Sequence, residues 1–259
     1  LPEQSRIVAK VEQLLALCDR LEAEQGQAAR PQGHWVEAAL AQLADSADAD
    51  EFARHWQHLA QHFDTQFTTP DSITQLEATL LQLAVRGKLV PQDPSDEPAS
   101  TLLQKIRTEK DRLLAEGKIK KDKSLPPISD EEKPFALPEG WEWTRLGTTI
   151  DLISGQHLGP TEYFSSPKPS AIPYLTGPAE FGTINPEPSR FTLERRAVAV
   201  SGDILVTVKG SGVGKTNVVD LAEIAISRQL MAIRPIIAER GFLELVMANL
   251  AQKFQAQSV

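Results

Sequence analysis

The residues from Val208 to Thr216, VKGSGVGKT, bring three glycines, two lysines and two hydroxyls together behind the strand-like run ILVTV. Those are the ingredients of a loop that wraps a phosphate in backbone N–H groups. Such a loop requires Gly, four residues, then Gly-Lys-Thr. Counting back from Gly214 puts Lys209 where the first glycine belongs. The NVVDLAEIAIS that follows is rich in β-branched residues and has no helix start to aim a dipole at phosphate. No later apolar strand ends in an aspartate suited to Mg²⁺. The expectation is a flexible, mildly basic hairpin loop and not a nucleotide site, with Lys209 and Lys215 as its charged donors and Ser211 and Thr216 as lesser ones.

Three other groupings could do chemistry. His55, His58 and His62 lie 3 and 4 residues apart, a spacing that brings imidazoles together on a helix. However, Phe52, Trp56, Leu59 and Phe63 mark the buried face, so the histidines read as a solvated flank and no metal is expected. Asn185-Pro186-Glu187-Pro188 is the nearest string to the Asn/Asp-Pro-Pro-aromatic loop of base-amino methyltransferases, but it lacks the second proline and the aromatic stacker. Gln156 and His157 occupy a polar, glycine-flanked loop. His157 is the only histidine after residue 140 and no cysteine accompanies it, so neither a Ser/His/Asp nor a Cys/His arrangement is available. No catalytic residue is expected on this chain.

The elements that must position these loops fall into two kinds. Ile7, Val11, Leu14, Cys18 and Leu21 recur at 4, 3, 4 and 3, the seam of a coiled-coil helix. Cys18 lies in that seam and reads as a buried structural thiol. A helical stretch from Trp35 to Phe63 follows, then an N-cap within Thr68–Ser72, then a seam of Ile73, Leu76, Leu80 and Leu83 closed by Gly87. Pro91 to Pro98 is rich in turn residues. A helix over 100–116 is stopped by Gly117. Strands are expected at 141–147, 171–175, 203–208, 217–219 and 232–234, and a helix at 242–254. The division is a helical region at 1–123, a Pro/Lys-rich linker at 124–140, and an α+β domain at 141–259.

The bulk numbers suit this reading. Hydrophobic residues make up 41% and charged ones 24% of 259 residues, an ordinary globular balance. No apolar run reaches the roughly 20 residues of a membrane span, so no membrane partner is expected. A single cysteine precludes an internal disulfide and makes a cytoplasmic location the default. The net charge of −8 is uneven: residues 1–136 carry 16 basic and 23 acidic side chains, and residues 137–259 carry 11 and 12. The second half is therefore nearly neutral, and its basic footprint is weak for a chain that would hold nucleic acid unaided.

Taken together, several segments resemble the specificity subunit of Type I restriction–modification systems. LPEQSRIVAKVEQLLALCDRLE is similar to the helix that follows a target-recognition domain, and the run from Thr74 to Ile128 is similar to the central conserved region. LPEGWEWTRLG resembles the opening of the next recognition domain, and GDILVTVKGSGVGKT with AISRQLMAIRP resembles its core. The resemblance implies a long antiparallel coiled-coil spacer that holds two recognition domains apart, each reading half of a split DNA target. It implies DNA, modification subunits and restriction subunits as partners. No cofactor is expected on this chain, with S-adenosylmethionine, ATP and Mg²⁺ on the partners. Under this resemblance Lys209 and Lys215 become phosphate or guanine donors, Ser211 and Thr216 lesser donors, and Gln156, with His157, an adenine reader. Arg145, Arg190, Arg195 and Arg196 are weaker candidates. The chain is expected to be a piece of such a subunit, with the first recognition domain missing and the second incomplete.

Overall fold

A computed structural model describes residues 32–121, 125–210 and 212–257. The seam from Ile7 to Leu21, including Cys18, and Ser211 lie outside the described residues. The chain forms two compact units. The described part of one comprises residues 32–83 and 88–91, and the other comprises 84–87 and 92 onward.

In the first unit, helix α1 (32–44) and helix α2 (Ala49–Gln61) replace the single expected helix from Trp35 to Phe63. The break has a local cause. The Asp48 carboxylate accepts from the Glu51 N–H at 2.8 Å, and the Glu51 carboxylate accepts from the Ala47 N–H. Together they form an N-cap that starts a new helix. A short turn, α3 (Phe63–Gln66), leads to α4 (Pro70–Val85). There Thr69 Oγ1 accepts from the Ser72 N–H and Ser72 Oγ from the Thr69 N–H.

Val36, Leu40, Leu43, Leu59, Leu76 and Leu83 make this unit's core, with Ile73 and Leu80 packed at its edge. Ile73, Leu76, Leu80 and Leu83 thus face α1 and α2 in a short-helix cluster. Pro70 and the turn at Gly87 limit α4 to 16 residues, about 24 Å, so among the described residues this seam does not extend into a long coiled coil.

Two helix ends in the chain are built alike. After α4, the Lys88 N–H donates to the Leu83 carbonyl with Gly87 at φ 68°. After helix α5 (Ala99–Ala115), the Lys118 N–H donates to the Leu113 carbonyl with Gly117 at φ 68°. This six-to-one bond needs a left-handed residue, the role of glycine.

The second unit includes α5, which the sequence had grouped with the helical region at 1–123. Lys110 Nζ donates to the carbonyls of Gly147 and Ile150, tying α5 to helix α6 (Leu146–Thr149). The expected strand at 141–147 is instead extended chain running into α6. Its aromatics are used in packing: Trp143 meets Phe135 edge-on, Trp141 meets Phe242, and Trp141 Nε1 donates to Gln92. The expected linker at 124–140 contains a 3-10 turn, Asp130–Glu132. Arg145 fastens it by donating to the Glu132 carboxylate and to the carbonyls of Pro126 and Pro127.

Among the described residues nine strands form two sheets: β1 (Ile150–Ser154), β2 (Tyr163–Phe164), β3 (Ile172–Leu175), β4 (Arg190–Thr192), β5 (Val198–Val200), β6 (Ile204–Thr207), β7 (Thr216–Val218), β8 (Glu223–Ile226) and β9 (Leu230–Pro235). One sheet is antiparallel in the order β1-β9-β6-β7. The other runs β2-β4-β3-β8-β5 and is mixed, because β3 and β8 are parallel.

Leu205 of β6 joins Leu175, Ala199, Ile224, Ile226 and Leu230 in a core drawn from both sheets. Its neighbours Ile204 and Val206 turn to the other face, against Leu243 and Met247 of helix α7 (Arg240–Gln257). Every residue of β6 is therefore buried, which is why Ile204, Leu205 and Val206 run apolar without alternation. The architecture is α+β. No described helix is long and apolar enough to cross a membrane.

Candidate nucleic-acid interface

The turn between β8 and β9, Ser227 to Leu230, is the hub of a loop cluster. The Gln156 N–H donates to the Ile226 carbonyl at 2.9 Å and the Gly155 N–H to the Leu230 carbonyl at 3.1 Å, binding the end of β1 to one side. The Val208 N–H donates to the Gln229 carbonyl at 2.8 Å, binding the start of the 208–216 loop to the turn. The Ser227 N–H donates to the Leu175 carbonyl and Ser227 Oγ to the Thr176 carbonyl at 2.5 Å, bringing in the end of β3.

Glycine makes these approaches feasible. A Cβ on Gly155 would fall inside the Ser227 carbonyl and 2.7 Å from the Leu230 oxygen, far closer than nonbonded atoms approach. A Cβ on Gly212 would stand 2.6 Å from Pro178 Cγ.

The 208–216 loop is the tip of the β6–β7 hairpin. The Thr207 N–H donates to the Lys215 carbonyl and the Gly214 N–H to the Thr207 carbonyl, with Gly210 and Gly214 at φ 91° and 86°. Strand β7 follows directly where a phosphate-binding loop would need a helix N-terminus. This excludes the nucleotide-loop geometry for the described residues. Gly212 and Gly214 are buried, while Lys209 and Lys215 are exposed and Thr216 is half-buried. On the facing loop Gln156 and His157 are exposed, and the next residue, Leu158, is buried with its N–H donating to the Tyr174 hydroxyl. Burial pushes that phenol above its usual range. The cluster therefore unites Gln156, His157, Lys209, Lys215 and Thr216 on one hydrogen-bonded frame.

Charge pairing separates this cluster from the other described cations between residues 137 and 251. Arg195 pairs with Glu223, Arg196 with Glu162 and Glu194, Arg234 with Asp203, and Arg240 with Glu244. Arg190 donates to Thr176 and lies over the Tyr163 ring, and Lys168 lies over Phe164. Arg145, Arg190, Arg195 and Arg196 thus have partners within the fold. Among the described side chains between 137 and 251, the cations without an acidic or aromatic partner are Lys209, Lys215 and Arg228, all in this cluster.

Glu180, which accepts from Thr176 beside the frame, has its own donors. Burial works to raise its pKa, but hydrogen bonds from Ser189 and Thr176 outweigh that and hold it below the ordinary value. Sequence reasoning passed over Arg228 and Gln229. Their only local signal is a charged and an amide residue at the tip of a tight strand-to-strand turn.

Of the three histidines, His58 and His62 are exposed on the flank of α2 and His55 is half-buried. His55 Nδ1 lies 3.0 Å from the buried Ser46 Oγ, while His62 meets Trp35 and His58 edge-on and His58 lies tilted to Trp35. No group of three or more possible metal ligands occurs among the described residues.

No family model matches the chain. Over 166 residues, 64% of this chain, it is 52% identical to the Type I restriction enzyme EcoAI specificity subunit of Escherichia coli and covers 28% of that protein. It is 54% identical over 148 residues, 57% of this chain, to the EcoEI specificity subunit of the same organism, covering 25% of it. Among solved structures, an HsdS subunit from Thermoanaerobacter tengcongensis aligns with 71% of this chain and 43% of its own at 26% identity and a TM-score of 0.45. The chain thus spans about a quarter of the length of the curated relatives it matches.

Proposed function

We propose that this chain, related over more than half of its length to Type I restriction specificity subunits, reads one half of a bipartite DNA target. In this reading it is non-catalytic and positions modification subunits, which carry S-adenosylmethionine, on adenine. Restriction subunits using ATP and Mg²⁺ join the same assembly. The helical region contributes to the spacer that sets the unread gap between half-sites, in line with the general rule that a rigid protein element fixes half-site spacing.

The observation that carries this reading is the loop cluster itself. Its backbone is held by hydrogen bonds from three separate loops, while the side chains of its cations and of Gln156 are exposed, with no hydrogen-bond or ion-pair partner among the described residues. A rigid frame with unengaged donors suits recognition: lysines neutralise phosphates and fix register, and amide and guanidinium groups read base edges.

The test is an adenine-methylation map. The reading frame encoding this chain is expressed with its modification subunit in a host lacking such methylation. A bipartite motif with a constant unread gap is the expected result. Assembly of the subunits without any methylated motif would sink the proposal and favour a second reading, a scaffold without DNA binding of its own, for which the net charge of −8 is the supporting feature.

A further inference from the structure

Arg228 and Gln229 occupy the centre of the loop cluster, where backbone hydrogen bonds hold the turn. The Gln229 N–H donates to Ser227 Oγ at 3.3 Å and the Leu230 N–H to the Ser227 carbonyl at 2.9 Å. The Gln229 carbonyl takes the Val208 N–H, and Leu230 below it is fully buried. Strands β8 and β9 on either side of the turn lie in different sheets, so the turn is clamped by both. Both side chains are exposed, and among the described residues neither has a side-chain hydrogen bond or ion pair.

The surroundings leave room for the Gln229 amide. It lies against Gly177, where a Cβ would overlap its Oε1. Gly177 has φ 175°, an extended conformation open to any residue, so backbone geometry does not require glycine there. What glycine supplies at that position is space for the amide.

We infer that Arg228 and Gln229 are the specificity-determining pair of this domain, with Gln229 reading an adenine and Arg228 a guanine within the half-site. The chemistry matches: Gln pairs bidentately with adenine N6 and N7, and Arg with guanine O6 and N7, in the major groove. Position supports it as well. The turn lies between the loop bearing Gln156 and His157 and the hairpin bearing Lys209 and Lys215, so cations flank the pair on the hairpin side, where phosphates would lie. This assignment rests on the DNA-reading proposal above and goes beyond it by naming which residues set the sequence.

The experiment uses the same methylation map with Gln229→Ala, Arg228→Ala and Lys209→Ala in the complete assembly. Each of the first two is expected to relax one base position of one half-site by roughly 5- to 150-fold in discrimination while the other half-site stays as it was. Lys209→Ala is expected to lower methylation at all sites alike, the behaviour of a phosphate contact.

A wild-type motif retained at full stringency by both Gln229→Ala and Arg228→Ala overturns the inference and leaves the DNA-reading proposal standing. Absence of any motif in the wild type overturns both. Should Gln229→Ala abolish methylation outright, Gln229→Glu decides. A changed base preference at a single position, with cytosine as the expected choice, sustains the assignment. The original motif, or none, defeats it.

Discussion

At the scale of single residues, the second unit uses its charges in two distinct ways. Asp203, 2% exposed at its side chain, accepts from Arg234 Nε at 2.9 Å and Nη2 at 2.7 Å and from the Val200 N–H. Removing the guanidinium leaves a buried carboxylate with one remaining donor. Arg234→Met is therefore expected to destabilise the unit by roughly 2–4 kcal/mol, discounted from the cost of breaking a fully buried pair because Arg234 is one-third exposed. Chemical denaturation would measure it, and a loss below about 0.5 kcal/mol would contradict it. Gly177 tests the other use of side chains. An added methyl meets only the mobile end of Gln229, so Gly177→Ala should leave the thermal midpoint within a few degrees while altering the same base position as Gln229→Ala. An unchanged methylation motif would show that the space at Gly177 has no part in recognition.

At the scale of elements, the segment 125–145 shows how a stretch without periodicity can still be placed. Arg145 reaches across it to Glu132 and two proline carbonyls, and Ser129 donates its N–H to the same carboxylate. The Arg145 hydrogen bonds come first and the Ser129 N–H second in holding the Glu132 pKa at about 2. A carboxyl whose folded pKa is depressed contributes stability above its unfolded pKa, and that contribution is lost as pH falls through the folded one. Anchoring of the Asp130–Glu132 turn should therefore persist through neutral pH and weaken between about pH 4.5 and 2. Carboxyl NMR titration would show a Glu132 midpoint near 2 that climbs toward the ordinary glutamate range in Arg145→Met; a midpoint already ordinary in the wild type would refute the clamp.

At the scale of the whole molecule, the sum of charge conceals its arrangement. A net charge of −8 argues against unaided nucleic-acid binding, and residues 137–259, at 11 basic against 12 acidic, stay close to neutral. Yet between residues 137 and 251 intramolecular partners occupy most of the described arginines, and the described cations there without an acidic or aromatic partner collect on one loop cluster. DNA binding of the assembly should weaken as salt rises, because phosphate contacts release counterions. Replacing Lys209 and Lys215 together by alanine should lower the slope of log K against log salt by about 1.8, roughly 0.9 per contact. An unchanged slope in a filter-binding titration would remove both lysines from the interface.

Much of the local structure was legible in the sequence. Gly87 and Gly117 end their helices because the six-to-one bond needs a left-handed residue there. The run ILVTV signalled the strand β6, and the displaced glycine at Lys209 argued against a phosphate loop before β7 was seen to follow it. Asp48 also carried a legible cap signal, missed because the apolar spacing continued across it. Local pattern misled at Trp141-Glu-Trp143, where β-favouring residues form extended chain because their rings pack against Phe135 and Phe242 rather than along a sheet.

What only the tertiary structure decided is which loops meet. Strand β9 lies between β1 and β6, some 80 and 25 positions away in the chain, so the Ser227–Leu230 turn receives hydrogen bonds from residues 155, 156 and 208 that no short-range period encodes. The sequence by itself determined most of the elements and the residue types that their loops carry. Long-range strand order determined that those donors share one frame, because hydrogen-bond partners across a sheet are set by register and topology, not by distance along the chain.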